Sequence, residues 1–238
     1  MISPTKEQEI AVVIAAYNEG AFIGRILSVL SQVEALNEIL VVDDGSQDAT
    51  LSVALRAAES DERIHVVCHP KNLGKGQAVF TGRENTQADI LLMLDADLLA
   101  LKPSQVLALI QPVLTNRADM TLGLFRGGRW NTDLAHRVTP WLSGQRCLRS
   151  EMMDMVSRRA AQGYGLETAI TVAALQYKWK IQPVCLEGVS HPVGETHRGL
   201  VSGLANRSKM YAQIIRAWFI AGGFKTLNFK RDNRKETG

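Results

Sequence analysis

The sequence has few cysteines, a small net charge and no long apolar run, and each of these features excludes a class of protein. Its 238 residues contain three cysteines, Cys68, Cys147 and Cys185, which are too far apart and odd in number for a disulfide framework. We therefore expect a reducing compartment. A net charge of +3 is small for this length and predicts no nucleic-acid partner.

We also expect no segment that directs the chain into or across a membrane. The N-terminus has no basic stretch followed by a long apolar one, so no signal peptide is expected. No run of about 18 apolar residues exists, so no transmembrane segment is predicted. These absences predict a cytoplasmic protein. Basic residues gather over 198–235, which leaves room for an anionic substrate or for contact with the inner face of the membrane.

The first hundred residues alternate between short apolar runs and stretches with helical periodicity. The apolar runs predict strands and the periodic stretches predict helices. The strands are expected at 10–16, 38–42, 64–68 and 90–94, and the helices at 21–31, 49–59 and 74–85. Because these strands are apolar almost throughout, helices should cover both faces of their sheet. The predicted fold class is α/β, with a mostly parallel sheet flanked by helices.

The second half of the chain is less regular, and we expect it to complete a single domain over about residues 1–230. The pattern predicts helices at 103–114, 166–176 and 201–220, strands at 120–125 and 181–186, and a loop at 126–137. Residues 231–238 are predicted to form a disordered tail. The last helix contains Trp218 and Phe219, which suits a peripheral membrane contact. We favour the alternative that this helix packs on the domain or in a homodimer.

Each of the first four predicted strands is followed by polar residues. The clusters are Tyr17-Asn18-Glu19, Asp43-Asp44, residues 71–75 and Asp95-Ala96-Asp97. In an open parallel sheet, ligands bind outside the carboxyl ends of the strands, where these clusters should meet. Their convergence predicts one ligand site.

The sharpest of these clusters is Asp95-Ala96-Asp97. Two carboxylates two residues apart can share a hard cation such as Mg²⁺ or Mn²⁺, with phosphate oxygens completing its coordination. A turn or helix cap after the strand is the alternative, since aspartate is common there. The other three clusters favour the metal site.

The remaining clusters suit a phosphorylated ligand. Asp43 or Asp44 can accept hydrogen bonds from a base or ribose, although an Asp-Gly turn is the alternative and strand alternation does not say which side chain faces the ligand. Lys75, between two glycines at a helix start, offers a positive charge beside free backbone N–H groups, unless it is simply solvated. The segment is not a Walker A loop, and no G-x-G-x-x-G pattern follows the first strand.

Three residues of the second half are further candidates. Glu167, at the start of a predicted helix, can act as a general base or simply interact with the helix dipole. His191 and His197 lie on either side of a Pro-Gly loop. A neutral imidazole could supply a third metal ligand, although a lone loop histidine is more often exposed to solvent.

These segments resemble the family 2 glycosyltransferases of the GT-A fold. Order and spacing agree over VVIAAYNEG, ILVVDDGSQDAT, NLGKGQAVFTG and ILLMLDADL, between Val12 and Leu98. The resemblance continues more weakly through SGQRCLR, GYGLETAI, GVSH and GLVSGLANRSKMY. The most similar branch contains polyprenyl-phosphate sugar transferases and, more distantly, glucosyl-3-phosphoglycerate synthases.

The resemblance implies a hexosyltransferase that takes its sugar from a nucleotide-diphosphate donor, with UDP-glucose favoured. The acceptor is unknown, with a polyprenyl phosphate or a small phosphorylated molecule as candidates. Residues 8–100 would bind the donor, and residues 101–230 would form the acceptor side. The implied donor-binding residues are Ala16, Tyr17, Glu19, Asp43, Asp44, Lys75, Asp95 and Ala96. Mg²⁺ or Mn²⁺ would be held by Asp95, Asp97 and His191, with His197 as the second choice, and the implied catalytic residues are Asp97 and Glu167.

The sequence departs from the family pattern at the acceptor side. No Q-x-x-R-W follows Glu167, which argues against a processive polymer synthase, and Glu167-Thr168 contains one acid where the family has a pair. Whether transfer inverts or retains configuration therefore stays open. Two other functions are also considered. A sugar-nucleotide nucleotidyltransferase would carry a glycine-rich basic stretch after the first strand, and a catalytically silent nucleotide-sugar-binding protein would not need the intact aspartate pair.

Overall fold

The computed structural model describes residues 8–126, 143–162 and 165–192. Four sequence predictions lie outside these residues: most of the loop at 126–137, the ligand candidate His197, the helix at 201–220 and the tail at 231–238. Within the described ranges, no helix combines the length and the apolar character that crossing a bilayer requires.

The described residues form seven strands and five α-helices. The strands are β1 (Ile10–Ala16), β2 (Glu38–Asp43), β3 (Ile64–Cys68), β4 (Ile90–Asp95), β5 (Met120–Arg126), β6 (Arg146–Arg149) and β7 (Ile181–Glu187). The helices are α1 (Ile23–Leu30), α2 (Thr50–Ser60), α3 (Lys75–Glu84), α4 (Pro103–Leu114) and α5 (Leu166–Gln176). The strands and helices predicted in these ranges are confirmed. Strand β6 and a 3₁₀ helix at Ser150–Met155 were not predicted, because such short segments carry little periodicity.

All seven strands join one sheet in the order β3-β2-β1-β4-β6-β5-β7. Strands β1 to β4 pair in parallel, and so do β5 and β7. Among the described strands, β6 alone runs antiparallel to its neighbours, β4 and β5. The prediction of a mostly parallel sheet is confirmed.

Two apolar layers cover the sheet, because successive side chains of a strand point to opposite faces. On β1, Val12 and Ile14 join one buried cluster that includes residues of α1, α2 and α4. Ala11 and Val13 join the other cluster, which includes residues of α3 and α5. Helix α3 packs closely on β1, since a Cβ added at Gly82 would lie 2.5 Å from Val13 Cγ1.

The strand order brings the predicted polar clusters to one edge of the sheet. Strand β1 lies between β2 and β4, with Ala16 level with Asp43 and Ala15 level with Asp95. Because β6 is antiparallel to β4, the segment that precedes it, residues 143–145, also reaches this edge. Residues far apart in sequence therefore meet where the parallel strands end.

Candidate functional site

Asp95, Asp97 and His191 form a cluster of potential metal ligands. One donor atom from each residue lies within 4.8 Å of the donor atoms of the other two. His191 Nδ1 is 2.8 Å from Asp97 Oδ1, and His191 Nε2 is 3.8 Å from Asp95 Oδ2. The structure therefore brings the first-choice histidine to the two aspartates, as the sequence prediction requires.

Two contacts hold His191 in this position. The segment after β7 pairs with the segment after β4 through an antiparallel bridge between Leu99 and Ser190. The imidazole also meets the Phe125 ring edge to face, with ring centroids 5.1 Å apart. Because Phe125 is buried, it forms a fixed wall beside the histidine.

The electrostatics of the cluster favour a cation. Burial acts to lower the pKa of His191, but the hydrogen bond with Asp97 and the charges of Asp97 and Asp95 outweigh it and raise that pKa. Burial likewise acts to raise the pKa of Asp95, but Lys75, His191 and hydrogen bonds lower it overall. The two carboxylates therefore create a local negative potential that a proton on His191, or a metal ion, would offset.

Lys75 links this cluster to Glu167. Its Nζ donates to Asp95 Oδ1 and to Glu167 Oε1, at 2.6 Å in both cases. Lys75 is the first residue of α3 and follows Gly74, whose φ of 94° suits glycine. Burial would lower the pKa of Lys75, but the two carboxylates raise it, so the ammonium stays charged. Glu167 thus belongs to the same charged network as the metal candidates.

Gln145 and Gly144 complete the surroundings of Asp95. Gln145 Nε2 donates to Asp95 Oδ2 at 2.7 Å. A Cβ added at Gly144 would lie 2.7 Å from both carboxylate oxygens and from Lys75 Nζ. Sequence reasoning missed both residues. The SGQR segment they belong to carries only a weak family resemblance, and the four-residue strand β6 that follows it is too short to show periodicity.

Asp43 and Asp44 are both buried but have different surroundings. Asp44 accepts hydrogen bonds from the backbone N–H groups of Leu73 (2.9 Å) and Gly74 (2.8 Å), and its Oδ1 lies 2.7 Å from His69 Nδ1. Asp43 Oδ1, by contrast, has no hydrogen-bond partner among the described residues. Asp44 therefore fixes the loop before α3, while Asp43 has a buried oxygen that no described group pairs with.

His69 joins Asp44 to α3. Its Nε2 lies 3.0 Å from Thr81 Oγ1, and its Nδ1 contacts Asp44. The parallel register of β2 and β3, which aligns Asp43 with Cys68, places the next residues of the two strands side by side. Because neither strand's sequence gives that register, the Asp44–His69 contact could be found only from the structure.

The loop after β1 is held by the loop after β2. The N–H of Asn18 donates to Ser46 Oγ, and the N–H of Gln47 donates to Asn18 Oδ1. The N–H of Glu19 donates to Thr50 Oγ1. Tyr17, at 40% exposure, keeps a free face toward solvent. The side chains of Ala16 and Ala96 are buried, so these two residues can offer a ligand little beyond their backbone.

Glu19 is the acid whose ionisation is most disfavoured near the cluster. Burial first, and then the charges of Asp97, Asp48 and Asp95, raise its pKa to about 7. A proton therefore stays on Glu19 at a pH where an exposed glutamate would be ionised. A bound cation would offset the same negative charges.

Replacing Glu19 with glutamine should stabilise the metal-free protein at high pH. Glu19 ionises near pH 4.5 when unfolded but near 7 when folded, so wild-type stability falls as the pH rises between these values. With allowance for solvent screening, we expect E19Q to raise the free energy of unfolding by about 1–2 kcal/mol at pH 8, with no gain at pH 4.5.

Chemical denaturation with a chelator present measures this difference. The control is Glu59→Gln, because Glu59 is exposed on α2. If E19Q raises the free energy of unfolding equally at pH 8 and at pH 4.5, the raised pKa of Glu19 is contradicted.

The sequence matches known proteins over much of its length. The family model described as "Glycosyl transferase family 2" matches residues 11–176. An undecaprenyl-phosphate 4-deoxy-4-formamido-L-arabinose transferase of Sodalis glossinidius is 35% identical over 103 residues, which cover 41% of this chain and 32% of the relative. A dolichyl-phosphate beta-glucosyltransferase of Mus musculus is 36% identical over 111 residues, covering 40% of this chain and 32% of the relative. The chain thus spans about a third of the length of these curated relatives.

Solved structures match over more of the chain. Glucosyl-3-phosphoglycerate synthase of Mycobacterium tuberculosis, in complex with Mn²⁺, UDP and glucosyl-3-phosphoglycerate, has a TM-score of 0.72 and 26% identity. The match covers 91% of the chain described here and 80% of the synthase chain. A structure of the same synthase with Mg²⁺ and UDP matches equally well, with a TM-score of 0.72.

Proposed function

The chain belongs to glycosyl transferase family 2, and from this premise we propose that it transfers a sugar from a nucleotide-diphosphate donor with the help of a divalent cation. The predicted GT-A fold is confirmed by the family match, the mixed seven-stranded sheet and the structural neighbours. The observation that carries the proposal is the meeting of Asp95, Asp97 and His191 at the carboxyl ends of the parallel strands.

The donor atoms at this site fit Mn²⁺ and, less well, Mg²⁺. Asp95 and Asp97 offer carboxylate oxygens, which both ions accept, whereas the imidazole nitrogen of His191 suits a softer ion than Mg²⁺. We propose these three residues as the protein ligands and expect Mn²⁺ to support the higher activity. The cation, when bound, would neutralise charge on the diphosphate leaving group.

Lys75 is proposed to stabilise the same leaving group. Its ammonium is held between Asp95 and Glu167 and stays charged, so it adds positive charge beside the cation site. The N-terminus of α3, which starts at Lys75, favours anions, because the first backbone N–H groups of a helix have no partner within the helix. Charge that develops as the sugar–oxygen bond breaks would therefore meet groups already in place.

Glu167 is proposed to face the acceptor. Only 12% of its side chain is exposed, and its Oε1 contacts Lys75. A hydroxyl acceptor would pass its proton to this carboxylate as it attacks the donor. An acceptor that is already ionised, such as a phosphate, would need no base, and Glu167 would then position Lys75.

Asp43 and Asp44 are proposed to have different roles in nucleotide binding. We propose that the buried, unpaired Oδ1 of Asp43 accepts a hydrogen bond from an N–H group of the base when the nucleotide binds, whereas Asp44 holds the loop that leads to Lys75. The exposed ring of Tyr17 offers a surface on which a base can stack. The register of β1 and β2 places Asp43 level with Ala16, next to Tyr17.

Two substitutions test the separate roles of Asp43 and Asp44. Asp43→Asn should weaken UDP binding about 10-fold with little change in thermal stability, because it removes the carboxylate charge and replaces one acceptor oxygen with an amide donor, while no described protein group pairs with Oδ1. Asp44→Asn should lower the free energy of unfolding by about 2 kcal/mol, because it weakens the hydrogen bonds to the loop. Calorimetry with UDP and chemical denaturation measure the two effects. The opposite pattern would place Asp44 at the nucleotide.

For the substrates, we propose UDP-glucose as donor and a polyprenyl phosphate or a small phosphorylated molecule as acceptor. Similar proteins support this choice: the mouse relative is named a dolichyl-phosphate glucosyltransferase, and one structural neighbour was crystallised with UDP-glucose and phosphoglyceric acid. We further propose that residues 8–100 bind the donor and that 101–230 form the acceptor side of one domain.

A panel of purified substrates tests the proposed function. UDP- and GDP-sugars are incubated with Mn²⁺, Mg²⁺ or a chelator, and with each acceptor class. Release of nucleoside diphosphate that depends on cation and acceptor supports the proposal. Release of pyrophosphate from a nucleoside triphosphate and a sugar phosphate would indicate a nucleotidyltransferase, and binding without turnover would indicate a silent binding protein.

A further inference from the structure

The buried side chain of Gln145 lies between Asp95 and strand β5. It is 1% exposed, and its two polar ends contact different groups. Nε2 donates to Asp95 Oδ2 at 2.7 Å, and Oε1 lies 3.0 Å from Ser143 Oγ. Because the carboxylate of Asp95 can only accept from the amide, the Nε2 end must face Asp95. The amide orientation is therefore determined by its surroundings.

The backbone of β5 fixes the position of Gln145. The N–H of Gly123 donates to the Gln145 carbonyl at 2.8 Å, and Ser143 Oγ donates to the Gly123 carbonyl at 2.6 Å. A Cβ added at Gly123 would lie 2.9 Å from Gln145 Cβ, so β5 packs directly on this side chain. Movement of Gln145 away from Asp95 would break these contacts.

The two oxygens of Asp95 thus receive different donors. Oδ1 accepts from Lys75 and Oδ2 from Gln145, and Oδ2 is also the oxygen nearest His191 Nε2. The close approach of Gly144 to both oxygens restricts rotation of the carboxylate further. Donors on both oxygens hold the carboxylate plane at one orientation relative to Asp97 and His191.

We propose that Gln145 is a positioning residue that orients Asp95 for the divalent cation. The inference rests on the proposed function, because it requires Asp95 to be a metal ligand. Hydrogen-bond partners of metal ligands commonly change metal affinity 10- to 100-fold when they are replaced. A neutral donor suits this place, since a carboxylate at position 145 would repel Asp95.

The test compares Mn²⁺ affinity in the presence of UDP for the wild type and for Gln145→Met, which keeps a similar volume but removes the hydrogen-bond donor. We expect the Mn²⁺ dissociation constant to rise about 10- to 100-fold, with UDP binding in the presence of a chelator unchanged. Gln32→Met, on the exposed surface beyond α1, is the matched control and should leave both constants unchanged.

The outcomes separate this inference from the proposed function. Wild-type protein that does not bind Mn²⁺ with UDP overturns both. Wild-type protein that binds, with Gln145→Met equal to it, overturns the role of Gln145 alone. A fall in melting temperature without a change in Mn²⁺ affinity assigns Gln145 a purely structural role and also overturns it. If Gln145→Met does not fold, Gln145→Glu decides, because it keeps the shape of the side chain and replaces the Nε2 donor with an oxygen: a changed Mn²⁺ affinity supports the proposal, and an unchanged one contradicts it.

Discussion

The Asp97→Asn variant should lose on the order of 10³-fold in cation-dependent release of UDP from a UDP-sugar. Asp97 Oδ1 lies 2.8 Å from His191 Nδ1, and both atoms belong to the proposed ligand set. An amide keeps the size of the side chain but removes its charge, so it is a much poorer ligand for a hard cation. The loss should come from cation-dependent turnover rather than from unfolding.

A coupled assay for UDP, with Mn²⁺ varied, measures this loss. Asp154→Asn is the control, because the Asp154 side chain is 66% exposed and lies outside the cluster. The melting temperature of each variant shows whether it is folded. An Asp97→Asn enzyme that keeps most of its Mn²⁺-dependent activity would rule out Asp97 as a ligand.

The second large effect is expected for Lys75→Met, which removes the ammonium between Asp95 and Glu167. Activity should fall about 100-fold or more, because charge on the leaving group loses a preorganised partner. The free energy of unfolding should also fall, by about 1–3 kcal/mol, because two carboxylates would face each other without their shared cation. The lower part of the range allows for solvent screening, since 36% of the Lys75 side chain is exposed.

Lys71→Met provides the matched control for this variant. Lys71 lies four residues earlier, in the same loop, and is exposed. Chemical denaturation and the UDP-release assay are run on both variants. If the two variants show equal losses, the effect belongs to the general charge of the loop and not to the Lys75 network.

The fold could be predicted from sequence because its strands are almost continuously apolar. Residues 10–16 and 90–94, for example, were identified as buried strands, and both lie at the centre of the sheet. Parallel strands place their carboxyl ends at one edge, so the meeting of Asp95 with the loops after β1 and β2 followed from topology. The resemblance to a family, and not the spacing of residues, favoured His191 over His197.

The contacts that sequence could not supply are those between distant segments. Lys75 and Glu167 are 92 positions apart, and nothing in their local sequences predicts that they share an ion pair. Gln145 was missed because its segment leads into a four-residue strand that runs antiparallel to its neighbours. The choice between Asp43 and Asp44 also needed coordinates, since it depends on which carboxylate the loop before α3 already occupies.

A calorimetric titration of wild-type protein with UDP in Mn²⁺, in Mg²⁺ and in a chelator tests directly whether the site holds a cation against a nucleotide. If Asp95, Asp97 and His191 hold a cation against the diphosphate, UDP should bind at least about 10-fold more tightly with Mn²⁺ than with the chelator, and Mg²⁺ should fall between them. Equal affinity under all three conditions, or no UDP binding at all, would contradict a cation-dependent nucleotide site at Asp95, Asp97 and His191.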